Sequence, residues 1–390
     1  MNLRAIQEAL SGLAIDAWLF FDHHRRDPLA YRILELPETV LPTRRWYYLV
    51  PAHGEARKLV HRIEPHVLDS LPGTQSLYAR WQEHEAELCK MLRGLRRVAM
   101  QYSPRCQVPY VAHVDAGTWE LVRSCGVEVV SSADLVQIFD AALTAEQMET
   151  HLEAGRRVDR IRRAAFQEVA GALSENRRLS EWEMCCWLRE AFEREGLVTD
   201  HGPIVAVNAH ASDPHYEPSA ARSARITRGD VVLMDMWAKL KQPRAVYYDI
   251  TWSGVAASAP PPQVSEVFAA VCKARDSAIA KIAESIGRGQ RLKGWEVDDA
   301  ARSVIDAAGY GAFFIHRTGH SIGVEVHGTG ANMDNYETHD ERQIVPGACF
   351  SIEPGIYLPE FGIRSEVNVL VRPGQAQVTG EIQRELVILC

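Results

Sequence analysis

Four carboxylates and one imidazole, Asp235, Asp249, His320, Glu353 and Glu366, constrain this chain more than any other feature. Each lies in a stretch that otherwise reads as a buried strand or a glycine-rich turn. Carboxylates in such places are costly unless a cation neutralises them. The chain must therefore fold so that the acids converge on positive charge. One histidine with four carboxylates can hold two divalent metal ions, which points to metal-activated water and hydrolysis.

The acids fall in two hairpin patterns. Val231-Val-Leu-Met-Asp-Met-Trp237 and Val246-Tyr-Tyr-Asp-Ile-Thr-Trp252 flank a polar turn, Lys239–Arg244. A hairpin centred near Gln242 predicts Asp235 opposite Asp249. Like charges directly opposed destabilise a strand pair, and a cation between them reverses the sign. Cys349–Gly355 and Ile363–Val369 flank Leu358–Gly362 in the same way. A centre between Pro359 and Glu360 predicts Glu353 opposite Glu366. Either pair alone also fits the polar face of a sheet. Two such pairs with apolar neighbours weaken that reading.

Two further segments are rich in site-type residues. His316-Arg-Thr-Gly-His-Ser-Ile-Gly-Val-Glu-Val-His327 carries three histidines among glycines that permit close backbone approach. Asn208–Pro218, with His215, is a polar loop after a strand, and such loops often carry function or simply face solvent.

Length and composition frame this. A chain of 390 residues is long for one core, so two domains are expected. Hydrophobic residues at 46% and charged residues at 24% are ordinary for a soluble enzyme. The net charge of -8 argues against nucleic acid or an anionic membrane as partner. No apolar run approaches the ~20 residues of a spanning helix, and the amphipathic stretch from Met1 to Glu8 lacks a signal-peptide core. The eight cysteines show no CxxC and read as reduced thiols of a cytoplasmic protein.

Residues 1–140 alternate helix and strand patterns, with strands at Ala17–Phe21, Trp46–Val50, Val98–Tyr102 and Gly126–Val130. They contain no site motif and read as a supporting or oligomerisation domain. Residues 141–390 open with capping boxes at Thr144 and Ser180. A long helix follows near 264–286 and a shorter one near 297–308, and strands and turns fill most of 313–390. This grouping gives an α+β fold: a smaller N-terminal α/β domain (1–140) and a larger α+β domain (141–390).

The order Asp235, Asp249, His320, Glu353, Glu366 resembles the dinuclear metallopeptidase family of methionine aminopeptidase, aminopeptidase P and prolidase. The matching motifs are the Asp235/Asp249 hairpin, Gly319-His-Ser-Ile-Gly323 with His327, Ile352-Glu-Pro-Gly-Ile-Tyr357, Gly362-Ile-Arg-Ser-Glu366 and Pro214-His-Tyr-Glu-Pro218. The resemblance covers about 144–390 and implies the pita-bread fold, behind a creatinase-type N-terminal domain. It implies Asp235 as terminal ligand of one metal, Asp249 and Glu366 as bridges, and His320 and Glu353 completing the second. It implies Glu353 as proton acceptor, and His215 and His327 as donors to the substrate carbonyl or oxyanion.

His316, four residues before His320, and Arg364, two before Glu366, resemble the proline-specific branch and imply substrate binding. The expected activity is hydrolysis of the Xaa-Pro bond of dipeptides or short peptides. Two divalent ions are implied, Mn²⁺ first and Co²⁺, Zn²⁺ or Fe²⁺ as alternatives, together with a homodimer. A hydrolase of another amide or ester, or a non-catalytic peptide-binding relative, are the competing readings. The chain departs from the family at Met236-Trp237, where the family has a glycine two residues after the first aspartate, and at Trp252, Gly328 and Val367. Trp237 and Trp252 can each line a pocket or pack a sheet.

Overall fold

The computed structural model describes residues 2–37 and 39–390. Met1, the first residue of the amphipathic N-terminal stretch, and Glu38 lie outside them. The chain forms two compact units, Met1–Asp140 and Ala141–Cys390.

The first unit is built on a six-stranded mixed sheet. Its strands are β1 (Ala17–Asp22), β2 (Trp46–Pro51), β3 (Arg57–His61), β4 (Thr74–Tyr78), β5 (Arg97–Met100) and β6 (Glu128–Ser131). They lie in the order β4-β3-β2-β1-β5-β6. β1 and β2 are buried throughout, as their unbroken apolar runs predict for central strands covered on both faces. Helices Trp81–Leu92 and Ala116–Ser124 belong to this unit, and Cys89 and Cys125 at their ends form a disulfide. This corrects the expectation of eight reduced thiols. The two cysteines stand 36 residues apart and meet because their helices pack together, which sequence spacing does not reveal. The other six cysteines are free.

The second unit has two halves, each with helices packed on strands. Helices Ala145–Ser174 and Glu181–Arg194 carry the capping boxes read from Thr144 and Ser180. They bury Val158, Phe166, Leu188 and Phe192 with residues of the long hairpin β9 (Val231–Leu240) and β10 (Tyr248–Val255). β7 (Leu197–Val198) and β8 (Ile204–Val207) pair with β9 on its other side. Helices Pro262–Gly287 and Gly294–Ala307 bury Val271, Ile282 and Ile305 with the second set of strands. That set comprises β11 (Cys349–Ile352), β12 (Gly355–Tyr357), β13 (Gly362–Arg364), β14 (Val367–Arg372) and β15 (Gln375–Thr379), while β16 (Val387–Ile388) joins β10. The halves are stitched by hydrogen bonds from Glu366 N to Thr251 O at 3.0 Å and from Asp249 N to Asn368 Oδ1 at 3.0 Å.

One register differs from expectation. Asp235 faces Thr251, and Asp249 faces Trp237. The backbone N–H groups of Val246 and Tyr247 are drawn away to Thr150 Oγ1 and Gly323 O, so the ladder begins only at Tyr248 opposite Ala238. The hairpin centre moves by one residue and each pairing by two. Side chains alternate with period two, so both aspartates keep the same face. The second hairpin has the expected register: Ile352 pairs Val367 and Gly355 pairs Arg364, which aligns Glu353 with Glu366.

Candidate metal centre

Three of the five residues meet at one point. Asp249, His320 and Glu366 each offer a ligand atom within 4.8 Å of the others. Asp249 and Glu366 are 5% and 2% exposed. Asp249 Oδ1 and Glu366 Oε1 have no hydrogen-bond partner among the described residues. Buried polar atoms are nearly always paired, so an orphaned oxygen on each of two converging carboxylates fits a bound cation.

His320 is oriented for the same purpose. Its Nδ1 lies 3.1 Å from Ser321 O, and a carbonyl can only accept, so the proton sits on Nδ1. Nε2 then points at Glu353 Oε1 at 3.3 Å and Asp249 Oδ2 at 3.5 Å. A cation held between them would take the place of any proton on Nε2. A second-partner bond that fixes the tautomer is typical of ligating histidines. Gly319 allows this approach: a Cβ there would stand 1.9 Å from Ser351 O. Ser351 then ties the pair, accepting from His320 N at 2.9 Å and donating to Glu353 Oε1 at 2.9 Å.

Asp235 is held differently. Its Oδ2 is ion-paired with Arg364, and its Oδ1 lies 3.0 Å from Thr251 Oγ1. The same hydroxyl stands 2.8 Å from Glu366 Oε2 and accepts from Arg364 Nε at 2.9 Å. One hydroxyl proton cannot serve two carboxylates, a further sign of charge that needs balancing. Arg364 also donates to Tyr357 OH at 3.1 Å, and that hydroxyl shares a 2.7 Å hydrogen bond with His316 Nε2. His316, Tyr357, Arg364 and Asp235 thus form one chain of contacts.

The electrostatics agree. Burial, then the neighbouring acids, hold Asp249 and Glu366 well above the usual carboxylate range. Burial pushes Asp235 up to about 7, with Arg364 pulling it down and Asp249 and Glu353 pushing it up. Burial also raises Glu353, but His320, His316 and Arg364 outweigh it and leave Glu353 below its ordinary value. The donor set fits divalent cations, being rich in carboxylate oxygen with one imidazole nitrogen.

The remaining predicted residues lie outside this contact network or at its margin. His327 stands edge-on to His320, with ring centroids 4.4 Å apart. His215 is exposed on the loop after β8, and its backbone N–H donates to Asp213. Thr251, Ser351, Tyr357 and Asn368 carry no role in the sequence reading. Hydroxyl and amide residues beside ligands are too common to single out without coordinates. Trp252 faces away from the acids, with the Arg162 guanidinium 3.4 Å over its ring.

Residues 149–373 match the model of metallopeptidase family M24. The Xaa-Pro dipeptidase of Pyrococcus furiosus is 30% identical over 254 residues, covering 65% of this chain and 67% of that one. The Xaa-Pro dipeptidase of Pyrococcus horikoshii is 28% identical over 304 residues, covering 77% and 78%. Among solved structures, dipeptidase PepE from Mycobacterium ulcerans has the same fold, with a TM-score of 0.70 at 23% identity over 99% of this chain and 96% of that one. The prolidase from Pyrococcus horikoshii gives 0.63 at 22% identity over 99% of both. The pita-bread architecture is therefore that of this chain.

Proposed function

The chain belongs to metallopeptidase family M24, and from that premise we propose that it hydrolyses the Xaa-Pro bond of dipeptides or short peptides with two divalent metal ions. The observation that carries the reading is the convergence of Asp249, Glu366 and His320, with one buried oxygen of each acid left without a hydrogen-bond partner among the described residues. The Xaa-Pro dipeptidases it resembles in sequence supply the substrate class.

Asp249 and Glu366 would bridge the two ions, Asp235 would hold one from the side, and His320 and Glu353 would complete the other. The ions, when bound, supply the positive charge the acids lack and acidify a water molecule. Glu353 takes the proton of the attacking water and returns it to the leaving amine. Its carboxylate is set for this by Ser351 and by the charges that keep it ionised. His327 and His215 donate to the oxyanion as charge develops. Arg364 fixes Asp235, and His316 reaches the same network through Tyr357 to face the proline side of the substrate. Mn²⁺ is the proposed metal, a homodimer the proposed assembly, and residues 1–140 a creatinase-type supporting domain to the catalytic residues 141–390. The cytoplasm is the proposed compartment, on the six free thiols; the Cys89–Cys125 bridge counts the other way.

The test is hydrolysis of Ala-Pro, Ala-Pro-Ala, Met-Ala-Ala and Ala-Ala by metal-stripped protein with and without Mn²⁺. Metal-dependent cleavage confined to the proline substrates is expected. Metal-loaded protein that leaves all four intact would overturn the proposal.

A further inference from the structure

Trp237 stands where the family has glycine, and the structure around it is built to receive an indole. β10 places Asp249 directly opposite it. On the other side of β9, Val198 pairs Lys239 and Ile204 pairs Asp235, so the connecting residues 199–203 pass beside Trp237. The indole Nε1 donates to Asp200 Oδ1 at 3.0 Å. Gly202, at φ +58°, lies under the ring, where any Cβ would come within 2.3 Å of the indole. A large residue on β9 is thus matched by an absent side chain beside it. Asp249 on β10 and Asp200 in the connection beyond β9 thus lie on opposite sides of Trp237.

Trp237 faces the reacting centre. Asp235 and Asp249 project from the same face as Trp237. The indole packs against the cluster that holds Tyr247 and Ile322, and against the cluster that holds Ile204 and Tyr216, the latter next to His215. Asp200 is close enough that its charge raises the pKa of both Asp249 and His327. The Asp200 carboxylate is 37% exposed, with His201 Nδ1 at 3.2 Å on a side chain itself 71% exposed. The charge of Asp200 also acts on Lys239, whose ammonium donates to Val324 O at 2.6 Å and lies 4.6 Å from the Tyr247 ring centroid.

An aromatic wall ending in a partly exposed carboxylate, with no lysine or arginine in ion-pair distance among the described residues, can receive an organic cation. We infer that Trp237 and Asp200 receive the side chain of the substrate's N-terminal residue and select lysine or arginine there. This rests on the peptidase reading above, in which Asp235 and Asp249 belong to the reacting centre. A basic side chain can then lie along the indole and carry its charge to the open rim, its apolar stem packed on the ring. A half-exposed ion pair and a cation–π contact together correspond to about a five- to tenfold preference.

The experiment compares kcat/KM for Lys-Pro and norleucine-Pro, which differ in charge at nearly equal length, using Mn²⁺-loaded protein. Wild type should favour Lys-Pro five- to tenfold. Asp200→Asn should bring the ratio to near one, and Asp200→Lys should invert it and favour Glu-Pro. Trp237→Phe, which keeps a wall but loses the Asp200 contact, should give an intermediate ratio, and metal content shows that each variant holds its site. A wild-type ratio at or below one, or a ratio unchanged in Asp200→Asn, overturns the inference. Calorimetric binding of the two dipeptides with a reduced, uncleavable bond reads the same ratio without turnover. Absent cleavage with a Lys-selective binding ratio would therefore sink the peptidase reading and keep this one.

Discussion

Asp22 at the end of β1 and Asp249 in β10 are both strand aspartates in apolar surroundings, 1% and 5% exposed, yet they are held in opposite ways. Asp22 accepts from Arg25 N at 2.8 Å, Tyr31 OH at 2.8 Å and Asp27 N at 3.0 Å. Those donors are local, and the carboxylate organises the turn after its own strand. Asp249 has one oxygen with no partner among the described residues and the other 3.5 Å from His320 Nε2, beyond hydrogen-bond length. A buried acid with donors on both oxygens stabilises a fold; one without them stores a demand for charge. The concave surfaces differ likewise. The first unit has a cleft of about 820 Å³ lined by His23, His24, Arg26, Arg44 and Arg45 with Asp115. Among the described residues it holds no set of converging acids, whereas the second unit concentrates carboxylates. Buried charge that is unpaired, rather than buried charge as such, marks the reacting centre.

The sharpest way to break this contrast is at Glu353. Glu353→Gln keeps an oxygen ligand and loses the proton acceptor, so kcat on an Xaa-Pro peptide should fall about 10²–10⁴-fold with metal still bound. Near-normal turnover in that variant would remove the proton-transfer role.

Metal addition should act on one unit only. At 100 times its dissociation constant an ion adds about 2.7 kcal/mol to the state that binds it. Hydrogen exchange should show that protection in β9–β14 and leave β1–β6 unchanged. Equal protection in both units would mean that the acids of the second unit are not the binding site.

The two aspartates themselves should respond with opposite signs in metal-free protein. Asp22→Asn strips acceptors from buried donors and should cost about 1–3 kcal/mol. Asp249→Asn relieves like-charge repulsion and should stabilise the metal-free protein by a similar amount while lowering metal content. Urea unfolding of both variants decides it, and destabilisation by Asp249→Asn without metal would contradict the repulsive account.

The smallest effect expected is on acid stability of the first unit. Burial, then Arg45, pushes His84 down to about 4. Its folded pKa is below the unfolded value of ~6.5, so the unfolded chain takes up the proton first. Stability present above pH ~6.5 is lost as pH falls toward 4, by about 1–2 kcal/mol at pH 5. Asp27, pushed up to about 7 mainly by burial, titrates against it in the same window. The measurement is therefore the difference between wild type and His84→Gln, which should shrink as pH falls and be independent of metal.

Much of this was legible in sequence because apolar runs and caps act locally. Thr144 and Ser180 cap helices as their spacing predicts. β3 and β4 escaped notice because Arg57-Lys-Leu-Val-His61 and Thr74–Tyr78 are polar, with β4 an edge strand. The Glu353/Glu366 alignment is correct because a short turn sets that register. The Asp235/Asp249 alignment is off by two because Thr150 and Gly323, distant in sequence, capture the turn's N–H groups. The Arg364–Asp235 ion pair and the Thr251 hydroxyl shared between acids depend on three elements meeting, which no local pattern encodes. The two tryptophans were indistinguishable in sequence; strand parity and Arg162 separate them.

The most direct test of the central claim is metal stoichiometry. Protein stripped of metal and re-equilibrated with Mn²⁺ should hold two ions per chain by elemental analysis, and Asp249→Asn and Glu366→Gln should each hold one or none. Wild-type protein that takes up no divalent ion, or variants that keep both, would contradict it.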